Sequence, residues 1–482
     1  MLEARTHNYL KKFLSKNPTN WKHLYSFGRI VASFVRKKEN LLINSEIFLT
    51  EEWLPGILIA LFLNQENAKF IISEDKIKFI VDKHLHLYKK LGFNFSVQNN
   101  QIIFSKHKIV LQTIDDLLND FCQSNCEKQI IIFTDVDRFK KKLKKSLSIT
   151  LCKKDWFNIN DSFLREEKEL FKTYDLLKEK FFLRAIPHQT SISLNINEVN
   201  LLKKIIKRNA YCSDKFAKLN KAISSGWAFW INLDHDLFEW YLEVEPIDHF
   251  VEIKELLNKN SMIFLSSSRR DHFFKRYLTK NDINLASAIS LKSSFIEKNI
   301  IIYIPSKLLL PNNPLFIEST IHNCKKLSFL SKGVSIFLSN ENSFKIKLAT
   351  ELASVYGQRV LLENYPKMDN QIVCSSYEWW INNLHLIYPP DQIIIPLLPL
   401  PNMAEPKNQQ TISFFRSKSN NWFREFMFPE SFQIIDKAVS PLRKNSGKLV
   451  FLDGRISKRK WGRDMLEMIQ PQKSITYMYP FD

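Results

Sequence analysis

Two aspartates follow an apolar run in the first third of the chain. Asp135 and Asp137 end the segment KQIIIFTDVD, whose isoleucine-rich centre predicts a buried strand. A pair of carboxylates at the end of a buried strand could hold a divalent cation, because such ions prefer oxygen ligands. The same side chains could instead stabilise the start of the next helix, RFKKKLKK, since a helix N-terminus favours negative charge. With no phosphate-binding group beside them, we favour the second interpretation.

The segment 41–64 has the order of elements of a phosphate-binding loop. Its strand-like start, LLIN, leads through the link NSEIFLTEE into an apolar, helix-compatible run. A phosphate-binding loop needs glycines, so that backbone N–H groups can approach the phosphates, and a lysine to neutralise their charge. The link has neither, and it carries three glutamates. None of the nine glycines in the chain is spaced as GxxxxGK or GxGxxG.

The charge of this link opposes a bound phosphate. A like charge ~4 Å away contributes on the order of 4 kcal/mol of repulsion near a protein surface. A micromolar ligand is held by only about 8 kcal/mol in total. We therefore expect ordinary ATP binding to be lost, and we predict no cofactor.

Strand-like runs alternate with helical patterns over the first 160 residues, in KFIISED, HKIVLQT and KQIIIFTDVD. This alternation predicts a mostly parallel sheet covered by helices on both faces. Long amphipathic helix patterns follow from about residue 160, and then the stretch GWAFWINLDHDLFEWYLEVEPID, which partly alternates as an antiparallel hairpin does. The α/β alternation returns after about residue 260. The prediction is an α/β protein with two such units and a helical insertion before the second.

Composition limits the class of protein. The chain has 482 residues, of which 45% are hydrophobic and 25% charged, as in soluble globular proteins of two or three domains. The apolar run ILIALFL is too short to span a membrane. The start, MLEARTHNYLKK, has no apolar segment of a secretory signal, so we expect a cytoplasmic protein. The six cysteines have no CxxC spacing, so we predict no metal site and no iron–sulfur cluster.

The formal net charge of +20 favours an anionic partner, most often nucleic acid. A compositional bias towards lysine could account for part of this excess. Two runs of basic residues are the candidate contacts, although solvated helix faces also produce such runs. They comprise Arg138, Lys140, Lys141 and Lys144 in the first half, and Arg455, Lys458, Arg459, Lys460 and Arg463 near the end.

The order of these segments resembles the DinG/XPD-like (Rad3-related) branch of superfamily 2 DNA helicases, over roughly residues 20–480. GKLVFLDGRISKRKWGRDML is similar to the family pattern GxVxxLDxRxxxxxYGxxxL, and DQIIIPLLPLPNMAEP to its LPFxxPxxP segment. The resemblance implies two RecA-like domains, at 1–275 and 276–482. It also implies a shortened helical, arch-like insertion at about 160–235. The family's activity is ATP-dependent DNA unwinding with Mg²⁺.

The resemblance assigns the segment 41–64 to the family's Walker A motif. Ser45 takes the first loop position, and Thr50 replaces the glycine before the lysine. Glu51 replaces the lysine itself, and Glu52 replaces the hydroxyl residue that holds Mg²⁺. The family's ATP-binding residues are therefore missing from this motif.

Three further motifs are altered. At the DEAH box, Thr134 and Asp135 take the places of the metal-binding Asp and the catalytic Glu, and Asp137 ends the motif. A register shifted by one residue would instead place Asp135, Val136, Asp137 and Arg138 on this box. Ser267 and Ser268 remain from the SAT motif, but Arg269 replaces its threonine. In motif VI, DKAVSPLRK retains one of two arginines, Arg443.

Three hypotheses follow. The first is a helicase homologue that binds DNA, single-stranded or forked, with little or no ATP-driven unwinding. The second is an active ATP-dependent helicase with an unorthodox ATP site. The third is a protein-interaction scaffold that does not bind nucleic acid. Whether the chain is an enzyme is left open by the sequence.

Overall fold

The computed structural model describes residues 1–123, 128–157, 164–185, 190–211, 213–222, 226–268, 272–292, 298–384 and 389–475. Within these ranges the strands are, in chain order, β1 (Leu41–Asn44), β2 (Ala68–Ile71), β3 (Ser96–Gln98), β4 (Gln101–Ile103), β5 (Lys108–Gln112), β6 (Ile130–Phe133), β7 (Ile149–Leu151), β8 (Ser191–Ser193), β9 (Trp227–Asp234), β10 (Glu239–Pro246), β11 (Ser261–Ser266), β12 (Ser287–Ser290), β13 (Ile300–Tyr303), β14 (Ser335–Leu338), β15 (Val360–Leu362), β16 (Ile372–Ser375), β17 (Gln392–Ile395), β18 (Lys448–Phe451) and β19 (Gln472–Ile475).

Helices cover and connect these strands. They are α1 (Leu2–Leu14), α2 (Leu24–Lys37), α3 (Leu54–Asn64), α4 (Glu74–Phe79), α5 (Leu85–Lys89), α6 (Ile114–Gln123), α7 (Val136–Leu147), α8 (Lys153–Phe157), α9 (Leu164–Arg184), α10 (Ile196–Arg208), α11 (Asp214–Ala222), α12 (Lys254–Lys259), α13 (His272–Lys280), α14 (Phe316–Leu330), α15 (Asn342–Tyr356), α16 (Tyr377–Asn382), α17 (Pro406–Ser417), α18 (Phe428–Val439), α19 (Leu442–Asn445), α20 (Arg455–Lys458) and α21 (Lys460–Met468). In the described part of the chain, no helix is long and apolar enough to cross a membrane.

The first sheet has eight strands in the order β12-β1-β11-β6-β2-β5-β4-β3. The pairs from β12 to β5 are parallel, and β4 and β3 add an antiparallel edge. All residues of β1 and β6 are buried, which explains their continuous apolar sequences, because helices cover both faces of a parallel sheet. The predicted strands in KFIISED, HKIVLQT and KQIIIFTDVD are confirmed as β2, β5 and β6.

A smaller antiparallel sheet, in the order β7-β10-β9-β8, interrupts the first unit. The predicted hairpin is confirmed: β9 pairs antiparallel with β10 along its length, from Trp227 beside Pro246 to Asp234 beside Glu239. Its buried face packs against α8, α9 and α11 around the fully buried rings of Trp156 and Trp240. The predicted helical insertion therefore contains strands as well as helices.

The third sheet has seven strands in the order β15-β16-β14-β17-β18-β13-β19, and every pair is parallel. Together with the first sheet it confirms the α/β class with mostly parallel sheets. We call residues 1–148 and 247–292 the first lobe, residues 149–246 the insertion and residues 298–475 the second lobe.

The sheets bear on where the two predicted domains divide. Position 275 lies inside α13, and the strand that follows this helix, β12, returns to the first sheet beside β1. Sequence patterns miss β12 because its four residues, SAIS, are short, weakly apolar and only half-buried at the sheet edge. The first sheet thus continues to Ser290. The division into domains stays a prediction.

Candidate functional site at the meeting of the two lobes

The link after β1 forms a tight helical turn. Ser45 is extended (φ −166°), its N–H donates to the Ser266 carbonyl at 2.9 Å, and its Oγ accepts from the Ile47 N–H at 3.4 Å. A serine in this position caps the following turn, Glu46–Leu49, which is a 3₁₀ helix. The link therefore satisfies its own N–H groups through a side-chain cap and a tight turn.

Two apolar side chains fix the turn to the core of the first lobe. Ile47 and Phe48 are 2% and 5% exposed. The Phe48 ring lies 5.8 Å from the Phe27 ring and 5.6 Å from the Trp53 ring, centre to centre. Burial of each of these two side chains stabilises the folded protein by about 1.5–3 kcal/mol. The side chains of the turn thus fill space that glycines would leave open.

The Walker A candidates at the end of the link are engaged inside the first lobe. Thr50 Oγ1 donates to the Ile47 carbonyl at 2.8 Å. Glu51 forms an ion pair with Lys76 at 3.2 Å, and Glu52 accepts from Thr19 Oγ1 at 2.6 Å. The four Walker A candidates, Ser45, Thr50, Glu51 and Glu52, thus all make contacts that hold the link in the first lobe.

The remaining acid of the link, Glu46, reaches the second lobe. Its Oε1 lies 3.2 Å from Nη1 of Arg443, whose Nη2 donates to Asp436 Oδ1 at 2.8 Å. Asp436 Oδ2 in turn accepts from Ser268 Oγ at 3.2 Å. The charged side chains are 8%, 1% and 7% exposed in the order Glu46, Arg443 and Asp436. We call these four residues the interlobe network.

The network has the composition that a buried guanidinium requires. An arginine cannot lose its charge in a protein, so burial has to be offset by carboxylates placed on its N–H donors. Glu46 and Ser268 come from the first lobe, and Asp436 and Arg443 from α18 and α19 of the second. Arg443 therefore has both of its carboxylate partners only when the lobes are together.

Thr134 and Asp135 lie at the start of α7. The Thr134 N–H and Oγ1 both donate to the Ile71 carbonyl, at 3.2 and 3.0 Å. Asp135 adopts a left-handed conformation (φ 54°) at the N-cap, but its carboxylate makes no capping hydrogen bond. It faces Lys437 of the second lobe at 3.7 Å. Asp135 therefore takes the expected place at the start of the helix, but its carboxylate faces the other lobe and makes no capping hydrogen bond.

The side chains of Asp137 and Arg138 lie outside the described residues, as does Arg269. Across the described side chains, no group of three or more histidines, cysteines or acids is arranged to hold a metal ion.

Comparison with known proteins gives a structural relationship alone. No protein-family model and no curated protein matches the sequence. Among solved structures, Xpd4 of S. tokodaii is similar with a TM-score of 0.59 and 13% identity, over 95% of this chain and all of that one. An XPD helicase gives 0.55 and 11%, over 95% of this chain and 99% of that one. The chain has the RecA-like helicase fold.

The helicase fold implies ATP and Mg²⁺, but the residues of the link after β1 do not fit them. Ile47 and Phe48 occupy the link with buried side chains, and Glu46 places a carboxylate on Arg443, the motif VI arginine of the resemblance. A phosphate here would meet the negative charge of Glu46 and no lysine from the link.

Other contacts join the lobes of this helicase fold around the network. The Phe273 ring lies 6.0 Å from the Phe428 ring and 5.8 Å from the Phe432 ring. Arg276 pairs with Glu425 at 2.6 Å. The interface therefore has an apolar part as well as buried and exposed ion pairs.

The first basic run is drawn into contacts within the protein. The Lys140 ammonium lies 4.4 Å from the centre of the Tyr277 ring, and exposed Lys141 pairs with Glu378 of the second lobe at 2.9 Å. Lys144 pairs with Glu245 of the insertion at 2.6 Å. Burial, with a smaller effect of nearby Lys407, lowers the pKa of Lys144 to about 8 and outweighs the opposing attraction of the Glu430 carboxylate. These lysines join parts of the protein to one another.

The second basic run is mostly exposed. Arg455 donates to the buried carboxylate of Asp453, at 2.6 Å from Nη2 to Oδ2. The other four residues are exposed on α20, on α21 and between them, and no ion pair joins them to an acid within the described part of the chain. We call these four the α20–α21 basic patch: Lys458, Arg459, Lys460 and Arg463.

A close helix contact shapes this patch. A Cβ at Gly462 would lie 2.0 Å from the Ile456 carbonyl oxygen, so only glycine lets α21 begin against α20. The Trp461 ring packs on Phe423, 5.2 Å between centres, and is half-buried. The four basic side chains are therefore carried by a fixed pair of short helices.

Glu46 and Asp436 are residues of the interlobe network that sequence reasoning did not single out. The usable signal was Arg443, because a buried arginine needs an anionic partner. The glutamate nearest β1 in the acid-rich link was the available candidate. Spacing alone could not identify it, because the link and motif VI are about 400 residues apart.

Replacing one carboxylate of the interlobe network should destabilise the folded protein. We expect Asp436→Ala to lower the free energy of unfolding by about 3–5 kcal/mol, because Arg443 stays buried with one carboxylate fewer. Urea denaturation measures this change. The control is Asp464→Ala, whose pair with Arg424 is about 40% exposed on both sides, so a change of at most about 1 kcal/mol is expected. Equal losses in the two variants would contradict a buried network.

The lowered pKa of Lys144 predicts a pH dependence of stability. Between about pH 8 and the ordinary value of 10.5, Lys144 is mostly protonated in the unfolded chain and mostly neutral in the folded one. Stability should therefore rise with pH over this interval, by at most about 1.4 kcal/mol per pH unit. Lys144→Met should remove this rise in urea denaturation series, while Lys141→Met, at a site 76% exposed, should keep it. An unchanged rise in Lys144→Met would refute this assignment.

Proposed function

We propose that this protein binds nucleic acid with a two-lobed helicase body and does not use ATP to unwind it. The observation that carries the proposal is the pair between Glu46 and Arg443, which puts a carboxylate where the resemblance expects a nucleotide phosphate. An arginine already paired with a fixed anion binds a nucleotide phosphate more weakly, because the phosphate has to displace that anion. Lobe motion driven by ATP is then lost, while the ability to bind nucleic acid remains.

Nucleic acid is the partner that the charge favours. The net charge of +20 attracts polyanions over the whole molecule, and the α20–α21 basic patch offers four exposed cations on rigid helices. We propose DNA, single-stranded or forked, as the ligand. A place beside the DinG branch, a part in DNA repair and a cytoplasmic location belong to the same proposal.

A nucleotide titration tests the ATP part of the proposal. We expect no saturable binding of a non-hydrolysable ATP analogue up to millimolar concentrations, with or without single-stranded DNA and with Mg²⁺ present. We also expect no phosphate release from ATP above a no-protein control when DNA is added. DNA-stimulated release would instead establish an active helicase with an unorthodox site and overturn the proposal.

The basic patch tests the nucleic-acid part. We expect the quadruple variant Lys458→Gln, Arg459→Gln, Lys460→Gln and Arg463→Gln to weaken binding of labelled single-stranded DNA by tenfold or more at low salt. The slope of log affinity against log salt should become shallower by about 0.7 for each phosphate that the variant no longer neutralises. Fluorescence anisotropy over a salt series measures both quantities.

The matched control removes four exposed lysines from the opposite end of the chain: Lys11, Lys12, Lys16 and Lys22, each changed to Gln. Both variants remove four positive charges, so a difference between their DNA affinities can come only from a local contact with DNA. Equal weakening would mean that net charge alone attracts DNA. Absence of salt-dependent DNA binding in the unmodified protein would leave a protein-interaction scaffold.

A further inference from the structure

We infer that Glu46 is a built-in substitute for a bound anion, which holds the two lobes together without any nucleotide. In this structure the lobes meet at the link after β1 and at α19, the helix that carries Arg443. Here a side chain of the link itself supplies the negative charge that Arg443 contacts at 3.2 Å. The inference concerns the lobes alone and stands whether or not nucleic acid is the partner.

The local structure of the link gives Glu46 its direction. It is the first residue of the 3₁₀ turn, between Ser45, which is bound to β11, and Ile47, which is buried in the core. Neighbours anchored on both sides leave the backbone of Glu46 little freedom. Its carboxylate is thus pre-organised for Arg443, which reduces the entropy lost when the pair forms.

The arginine is equally constrained from the second lobe. Asp436 lies one helix earlier and binds the other terminal nitrogen of the guanidinium, at 2.8 Å. The Arg443 carbonyl also accepts from the Lys298 N–H at 2.9 Å, which fixes the backbone at the start of the second lobe. Both halves of the contact are therefore rigid before they meet.

Neighbouring contacts act in the same direction. Ser268 of the first lobe binds Asp436, and Lys437 lies 3.7 Å from Asp135. Oppositely charged side chains meet across the interface at several places, and the pair of Glu46 with Arg443 is the least exposed of those described. The expected result is one stable arrangement of the lobes in the absence of any ligand.

The decisive variant is Glu46→Ala. Small-angle X-ray scattering should give a larger radius of gyration for it than for the unmodified protein, because Arg443 then loses its contact with Glu46. Hydrogen exchange should accelerate on the order of 100-fold in both facing segments, 46–49 and 428–439. The buried strands β6 and β14 should keep their protection.

The control is Glu378→Ala, which removes an interlobe pair that is about 70% exposed. It should change neither the radius of gyration nor the exchange of these segments by more than about twofold. If the two variants behave alike, or if Glu46→Ala leaves both measurements unchanged, the inference is wrong.

Anion rescue separates a missing charge from general damage. Inorganic phosphate should return the radius of gyration of Glu46→Ala towards the unmodified value in a saturable way, whereas chloride at equal ionic strength should not. The double variant Glu46→Ala with Arg443→Met should show no rescue, because it has no guanidinium to bind the anion. Rescue of the double variant, or equal rescue by chloride, would overturn the inference.

Should Glu46→Ala fail to fold, Glu46→Gln provides the test. It keeps the shape and one hydrogen-bonding oxygen but not the charge. We expect exchange in segments 46–49 and 428–439 to rise by about tenfold, as expected for a charge-assisted bond that becomes a neutral one. Unchanged exchange in this variant would contradict a role for the charge.

Discussion

The burial of one guanidinium determines how the two halves of this protein fit together. Arg443 is 1% exposed, and its charge cannot be removed by loss of a proton. A carboxylate from each lobe, Glu46 and Asp436, compensates it. Separation of the lobes would leave the arginine with the carboxylate of its own lobe alone. The cost of breaking one side of a buried pair, about 3–5 kcal/mol, is a large part of the stability of a typical domain.

The turn that presents Glu46 follows from ordinary local choices. A serine caps it, two apolar residues anchor it, and no glycine lets the backbone open around a phosphate. The aromatic rings of Phe27, Phe48 and Trp53 continue this anchoring into the first lobe. The residues that anchor the turn therefore also give the carboxylate of Glu46 a rigid support.

The sequence was most informative where the pattern is long and local. The isoleucine-rich strands β2, β5 and β6 and the β9–β10 hairpin were predictable, because burial on one or both faces sets their periodicity. The edge strand β12 was not, since four residues that are half-buried or exposed carry little periodic signal. The direction of Asp135 and the partner of Arg443 were also beyond reach, because each depends on a contact between lobes that are distant in sequence.

A tethered anion changes what a ligand can do to this fold. A ligand shifts an equilibrium only by the difference between its affinities for the two states. ATP could favour the closed lobes only by contacts that Glu46 does not already make, and to reach Arg443 it would have to displace a carboxylate of high effective concentration. The link offers no lysine to compensate for that displacement. If Glu46 holds the lobes together as proposed, the arrangement of the lobes in this structure is the default state of the chain, and any surface formed across both lobes is presented to a partner without a bound nucleotide.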